Sequence, residues 1–135
     1  MLNRRNNRTT RKGQSVVEFA LVLPILVMIV MGIVEFGRIF MAQQIVTNAS
    51  REGARSAVLP SSTSSDVETT VLNYMTSGGL TGPTNVQMTN VGQTVPTGSA
   101  TSVNVNYTLS ILTGTIIPGL GDSVTITHTT VMRHE

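Results

Sequence analysis

Apolar residues follow three different patterns along the chain. Residues 19–34, FALVLPILVMIVMGIV, carry no charge and show no polar stripe. Beyond them, small side chains recur every three or four residues, as on one helical face: Ala42, Val46, Ala49, Gly53 and Ala57. From about residue 84 onward, apolar and polar residues alternate with the period of a β-strand. The pattern predicts one long helix over residues 15–59, followed by a small body that contains strands.

The uncharged run is typical of a membrane-spanning helix. Its sixteen residues cover about 24 Å at 1.5 Å per residue, and the hydrocarbon core of a bilayer is about 30 Å thick. Flanking apolar residues up to Phe40 extend the predicted span to about residues 19–40. A buried core helix would show a polar stripe, and a secretory signal would be followed by a small-residue cleavage site. Neither is seen between Phe19 and Val34 or just after, whereas Pro24 predicts a kink within the span.

The predicted helix continues well past the membrane, to a total of about 65 Å. Its face of small side chains allows another element to approach closely. Such a length suits a subunit whose helix joins a helical assembly. Opposite charges at i,i+3, Glu35 with Arg38 and Glu52 with Arg55, can pair within the helix or between subunits, and the sequence leaves both open.

The remainder of the chain predicts a small α+β body. Asp66 is a candidate N-cap for a short helix that reaches about Thr76, with an apolar face and the Gly78-Gly79 pair as its end. Three segments alternate as strands do, around residues 86–88, 103–109 and 124–132. The predicted fold class is α+β: a long N-terminal helix, a short second helix and an antiparallel sheet of about three strands. Residues 111–121 are apolar and rich in turn formers, which fits a hairpin connection, a subunit contact or a patch on the membrane.

Charge predicts the orientation of the chain. Five of the nine Lys and Arg residues precede Gly13, and the rest of the chain has four basic against seven acidic residues, a formal charge of −3. Basic residues before a membrane helix stay in the cytoplasm, so the body is expected to be exported. Three parts follow: a basic leader (1–13), a long helix (14–59) and an exported domain (60–135). The basic cluster has no aromatic interleaving, which argues against nucleic-acid binding.

The residue types that carry chemistry are scarce. The chain has no cysteine and only two histidines, His128 and His134, which do not have the spacing of metal ligands. Few acidic residues remain for a catalytic pair or triad, and no lysine follows Gly78-Gly79 as in a phosphate-binding loop. We expect no enzymatic activity, no metal, no cofactor and no small-molecule substrate.

Three motifs follow one another over about forty-five residues. They are GQSVVEFALVLP from Gly13, VEFGR from Val34 and NASREGAR from Asn48. A glycine placed five residues before a glutamate-aromatic pair, at the start of an apolar helix, resembles the processing site of type IV-like prepilins. The order and spacing of all three motifs resemble TadE-like proteins, minor pilins or pseudopilins of the tight-adherence (Flp) pilus system.

The resemblance implies roles for several residues. A prepilin peptidase would cut between Gly13 and Gln14, and Glu18 and Phe19 would mark the start of the mature helix. In the family the glutamate is thought to meet the free amine of a neighbouring subunit, which would offset its cost in hydrocarbon. Residues assigned to subunit packing lie in the later motifs: Glu35, Arg38, Arg51, Glu52, Gly53 and Arg55. An alternative is that Ser15 and Glu18 form a capping box that merely starts the helix.

Two functions follow from these observations. The first is a minor pilin, cleaved after Gly13, that takes part in assembling a tight-adherence pilus for surface attachment. Its partners would be the prepilin peptidase, other pilins and the assembly machinery, and it would reside in the inner membrane before reaching a pilus. The second is a permanently anchored bitopic protein whose exported domain binds another protein. Cleavage of the leader distinguishes them.

Overall fold

The computed structural model describes residues 10–82, 84–92, 96–112, 114 and 121–134. Five elements follow along the chain: α1 (Thr10–Ala57), α2 (Ser64–Ser77), β1 (Thr84–Thr89), β2 (Ala100–Ser110) and β3 (Ser123–Arg133). The strands form one antiparallel sheet in the order β1-β2-β3. The predicted α+β class, with a long helix, a short helix and three antiparallel strands, is confirmed.

Helix α1 has 48 residues and is about 72 Å long. It begins at Thr10, upstream of the predicted start at Ser15, and ends at Ala57, two residues before the predicted end. Because the helix already runs through Ser15, this residue does not act as an N-cap, and the capping-box alternative is wrong for the full chain. The helix also continues through Pro24, although proline cannot donate to the carbonyl four residues earlier.

Helix α2 begins one turn earlier than predicted, because a different residue caps it. Thr63 is the N-cap: its hydroxyl oxygen accepts from the Asp66 N–H, and the Asp66 carboxylate accepts from the Thr63 N–H at 2.9 Å. These reciprocal bonds are a capping box, in which Asp66 occupies the third helical position rather than the cap. The Thr63 hydroxyl and the Thr63 backbone N–H both donate to Oδ2 of Asp66, at 2.7 and 2.9 Å, and hold the pKa of Asp66 below its ordinary value.

The sheet has one buried face and one polar face. Along β2, buried and half-buried residues alternate strictly, with Val103, Val105, Tyr107 and Leu109 on the buried side. The opposite face carries asparagine, serine and threonine, joined by side-chain bonds such as Asn104 Nδ2 to Thr129 Oγ1 at 2.6 Å. The period-two pattern that predicted these strands therefore predicted their inner face as well.

The second half of α1 covers the inner face of the sheet. It packs against β2, β3 and α2, and α2 makes a smaller contact with β1. The face of small side chains predicted from the sequence supplies the buried contacts, with Ala42, Val46, Ala49 and Ala57 at most 1% exposed. Met75 and two valines of α2 complete the core. The body therefore draws its core from both sides of residue 60, where the sequence suggested a domain boundary.

Candidate assembly and processing site

The first half of α1 is almost fully exposed. The exposed large apolar side chains between Val16 and Val34 have 42% to 69% of their surface accessible. The most apolar 18-residue window of the helix has a mean hydropathy of 2.7, and none of it is buried by the rest of the chain. By length and composition this helix can cross a membrane. A single N-terminal apolar helix of this kind is consistent with a single-pass, membrane-anchored protein.

The predicted cleavage site lies on the exposed first turns of α1. A Cβ built on Gly13 would have no atom within 4 Å. Gln14 donates from its side-chain amide to Oε1 of Glu18 at 3.2 Å, one helical turn away. Phe19 is 64% exposed. The structure thus brings Gln14 and Glu18 together on one face, and the region around Gly13 is sterically open. Residues 1–9 of the predicted leader lie outside the described residues.

Glu35 is the one acidic residue among the buried side chains of the described chain, 6% exposed as a residue. Its Oε1 accepts from Nη1 of Arg38 at 3.1 Å, and its Oε2 accepts from the backbone N–H of Leu112 at 3.0 Å. The first bond is the predicted i,i+3 pair. The second joins α1 to the residues that follow β2, a contact that sequence spacing cannot show. A buried carboxylate with both a cation and an N–H donor has the partners that burial requires.

The later family motif faces in two directions. Gly53 packs inside the chain: a Cβ there would lie 2.5 Å from Cγ2 of Val71 and 3.2 Å from Cγ1 of Val103. Arg51 and Arg55 are exposed, and Arg55 lies 3.9 Å from half-exposed Glu52. An exposed pair at that distance contributes at most about 1 kcal/mol. Gly53 is therefore needed for the fold, and subunit packing remains a prediction for the three charged residues.

A buried polar cluster that the sequence analysis did not predict ties α1 to β3. Ser50 is fully buried; its hydroxyl donates to the carbonyl of Thr47 at 2.9 Å. The same oxygen lies 2.9 Å from Nδ1 of His128 and 2.7 Å from Oγ1 of Thr130. The Ser50 hydroxyl therefore has three hydrogen-bond partners, one within α1 and two in β3. The alternation along β3 places His128 on the same face as buried Ile126, and this pattern was the sequence signal that could have predicted the cluster.

A second cluster holds the end of β3 against the turn between β1 and β2. His134 is 8% exposed, and its Nε2 lies 2.6 Å from Oγ1 of Thr101 and 3.2 Å from the carbonyl oxygen of Asn90. Thr101 donates to the same carbonyl at 2.7 Å. Both histidines thus have structural hydrogen-bond partners. Among the described residues, no group of three or more His, Asp or Glu is placed to hold a metal ion.

A shallow cleft of about 560 Å³ lies between α1 and the ends of α2 and β2. Arg38 contributes the one charged side chain to the described lining, and its other walls include Tyr107, Ser110 and Ser123. Residues 111–121, for which the sequence left three roles open, connect β2 to β3. Of these, Ile111, Leu112, Gly114 and Gly121 are described, and the other seven lie outside the described residues.

Comparison with known proteins finds a match in the helical part of the chain. Residues 13–55 match the family model described as TadE-like protein. No curated protein and no solved structure matches the chain. The matched segment begins at Gly13 and ends at Arg55, so it contains all three motifs and stops within the last turn of α1. Over residues 13–55 the chain is similar to the TadE-like proteins, which confirms the resemblance predicted from its motifs.

Proposed function

We propose that this protein is a minor pilin, processed after Gly13 by a prepilin peptidase and incorporated into, or required to initiate, a tight-adherence pilus. The TadE-like match associates the chain with that pilus system. The observation that carries the finer proposal is the coincidence of the match with the processing motif. The match begins at Gly13, on an open turn five residues before Glu18 and directly ahead of the apolar half of α1.

The proposed cleavage requires the peptide to leave the helix. A protease cleft binds an extended backbone, and glycine lowers helix stability by about 1 kcal/mol relative to alanine. Gly13 is therefore a favourable place for the first turns of α1 to open. After cleavage, Gln14 becomes the new N-terminus, and its amine supplies a positive charge close to Glu18. The mature helix then keeps the whole of its apolar half.

Orientation and location belong to the same proposal. The basic residues before Gly13 keep that end in the cytoplasm, and the body that follows α1 is exported across the inner membrane. On assembly, the exposed apolar half of α1 exchanges lipid contacts for those of other pilin helices. Its even apolar surface, without a polar stripe, suits both environments. The exposed Arg51 and Arg55 and the half-exposed Glu52 are proposed to contact neighbouring subunits.

The test is the N-terminal sequence and intact mass of the protein recovered from membranes of its native host. An N-terminus at Gln14 is expected. The Gly13→Leu variant should keep its leader and lose piliation, because the side chain fills the space that the peptidase requires. Gly32→Leu is the matched control: this glycine also has nothing within 4 Å of a built Cβ and lies within the apolar run. Normal cleavage and piliation of Gly13→Leu would contradict the proposal.

A permanently anchored binding protein is the second candidate, and one structural feature favours it. Strand β3 is at the edge of the sheet and has eleven residues, which include one arginine, Arg133, and no lysine, aspartate or glutamate. A long edge with little charge can pair with a strand of another protein. An intact leader in a host that processes other prepilins would favour this candidate over the minor pilin.

A further inference from the structure

Strand β2 runs back along α1 toward the membrane-spanning half. Gly53 of α1 faces Val103 at one end of this contact, and Glu35 accepts a hydrogen bond from Leu112 at the other. The 18 residues from Glu35 to Gly53 span about 27 Å of helix. The nine residues from Val103 to Leu112 span about 30 Å of extended chain. The two paths match, so Leu112 lies at the depth of Glu35, at the end of the body nearest the apolar run.

Past Glu35 the fully exposed large side chains of α1 are still apolar, and the one charge among them, Arg38, has 36% of its side chain exposed and is paired with Glu35. Phe36 is 72% exposed, Phe40 is 55% exposed and Met41 is 57% exposed. The next exposed residues on the helix are polar, beginning with Gln43 and Gln44. Glu35 itself does not interrupt this surface, because its carboxylate is buried toward the body and bonded to Arg38 and Leu112.

The length of the apolar surface then agrees with a bilayer. Residues 19–34 alone span about 24 Å, whereas residues 19–40 span about 33 Å, and the hydrocarbon core is about 30 Å thick. A helix immersed to about Phe40 places Glu35 near the boundary between hydrocarbon and headgroups. Leu112, which is 48% exposed and bonded to Glu35, is carried to the same depth.

We infer that before assembly the body is seated on the lipid surface through Phe36, Phe40, Met41 and Leu112, with Glu35 as the clip that holds Leu112 against α1 at the membrane boundary. This inference rests on the proposed insertion of α1 in a bilayer. The occupant of this seating surface is lipid because the surface is continuous with the membrane-spanning run. Asp122 limits the depth: its backbone pairs with Ile111 and the residue is exposed, so this end of the body reaches the headgroup layer.

The seating surface can be located with single fluorescent probes. The chain has no cysteine, so each introduced cysteine is labelled uniquely with an environment-sensitive dye. The full chain is reconstituted in vesicles of phosphatidylcholine and phosphatidylglycerol that contain lipids spin-labelled close to the headgroup. Probes at Leu112→Cys and Phe36→Cys test the surface, and Leu26→Cys reports insertion. Ser64→Cys, exposed at the start of α2 and beyond the far end of α1, is the matched control.

The expected result is a blue-shifted emission and strong quenching by the labelled lipids at Leu112 and Phe36, and neither change at Ser64. An unquenched Leu112 probe beside a blue-shifted Leu26 probe would overturn the seating and leave insertion intact. A Leu26 probe with the emission of water would overturn the insertion, and the seating with it. Equal quenching at Ser64 and Leu112 would show a body lying flat on the surface, which also overturns the inference.

Substitution of Glu35 tests the role of its hydrogen bond with Leu112. Glu35→Ala removes the acceptor for the Leu112 N–H, so quenching of the Leu112 probe should fall while the Leu26 emission is unchanged. Glu35→Gln removes the charge and keeps an acceptor oxygen, and should retain most of the quenching. Glu52→Ala, which breaks the other i,i+3 pair at the far end of α1, should have no effect. Equal quenching in Glu35→Ala and the parent would contradict the proposal that Glu35 holds Leu112 at the membrane boundary.

Discussion

The two halves of α1 belong to one continuous helix and have opposite surroundings. In the first half, residues 19–34, large apolar side chains are exposed on all sides. In the second half, residues 42–57, the buried positions are small and lie on one face, against the sheet and α2. A helix that is apolar all round needs lipid or other helices, whereas a one-sided helix completes a water-soluble core. The difference teaches that one element both anchors the chain and builds the body.

Substitution of glycines in α1 is expected to give the largest difference between its two halves. Gly53→Val should destabilise the body by about 3 kcal/mol, because the added methyl groups overlap Val71 and Val103. Gly37→Val is the matched control: it lies in the same helix, and a built Cβ has nothing within 4 Å. Thermal unfolding of the purified chain in detergent, followed by circular dichroism, measures both. Equal unfolding temperatures for the two variants would mean that Gly53 does not face the body.

A pair of valines sharpens the comparison. Val46 is fully buried and Val30 is 51% exposed. Val46→Ala should cost about 2 kcal/mol, from lost apolar burial and the cavity left behind. Val30→Ala should leave the stability of the body unchanged in detergent. Denaturant unfolding monitored by tyrosine fluorescence compares them, and a comparable loss in Val30→Ala would show that the first half of α1 also packs against the body.

The contact between the second half of α1 and β3 depends on Ser50. Ser50→Ala removes the hydroxyl that hydrogen-bonds His128 and Thr130, and should cost about 1 kcal/mol because two half-buried polar groups lose a partner. Ser65→Ala, at an exposed position, should change stability little. Amide hydrogen exchange in β3 should increase in Ser50→Ala alone, and unchanged protection there would contradict the assigned cluster.

The smallest expected effect is at the cap of α2, outside the compared helix. Hydrogen bonds from Thr63 lower the pKa of Asp66 in the folded chain, so the ionised form is favoured by folding. This contribution is present above the unfolded pKa and is lost as the pH falls below about 4 toward the folded value. Asp66→Asn should flatten the acid limb of the stability curve. An identical pH dependence in variant and parent would contradict the capping box.

The separate elements were predictable because each has its own local periodicity. An uncharged run of sixteen residues, a small-residue face and strict alternation in β2 are all visible in the sequence. Errors occurred at helix ends: α1 starts upstream of Ser15, and Thr63 rather than Asp66 caps α2. Where several polar residues lie close together, more than one of them can cap the helix. The choice depends on which hydrogen bonds form, and composition does not specify these.

By itself, the sequence determined the long helix, its apolar half, the three-stranded body and the TadE-like motifs, because each depends on neighbours in the chain. Only the tertiary structure decided what the second half of α1 faces. It assigned Gly53 to the core and joined Ser50 to His128 and Glu35 to Leu112. The physical reason is sequence separation: the partners are 78 and 77 positions apart in the chain, and such pairs are set by how the sheet packs on the helix.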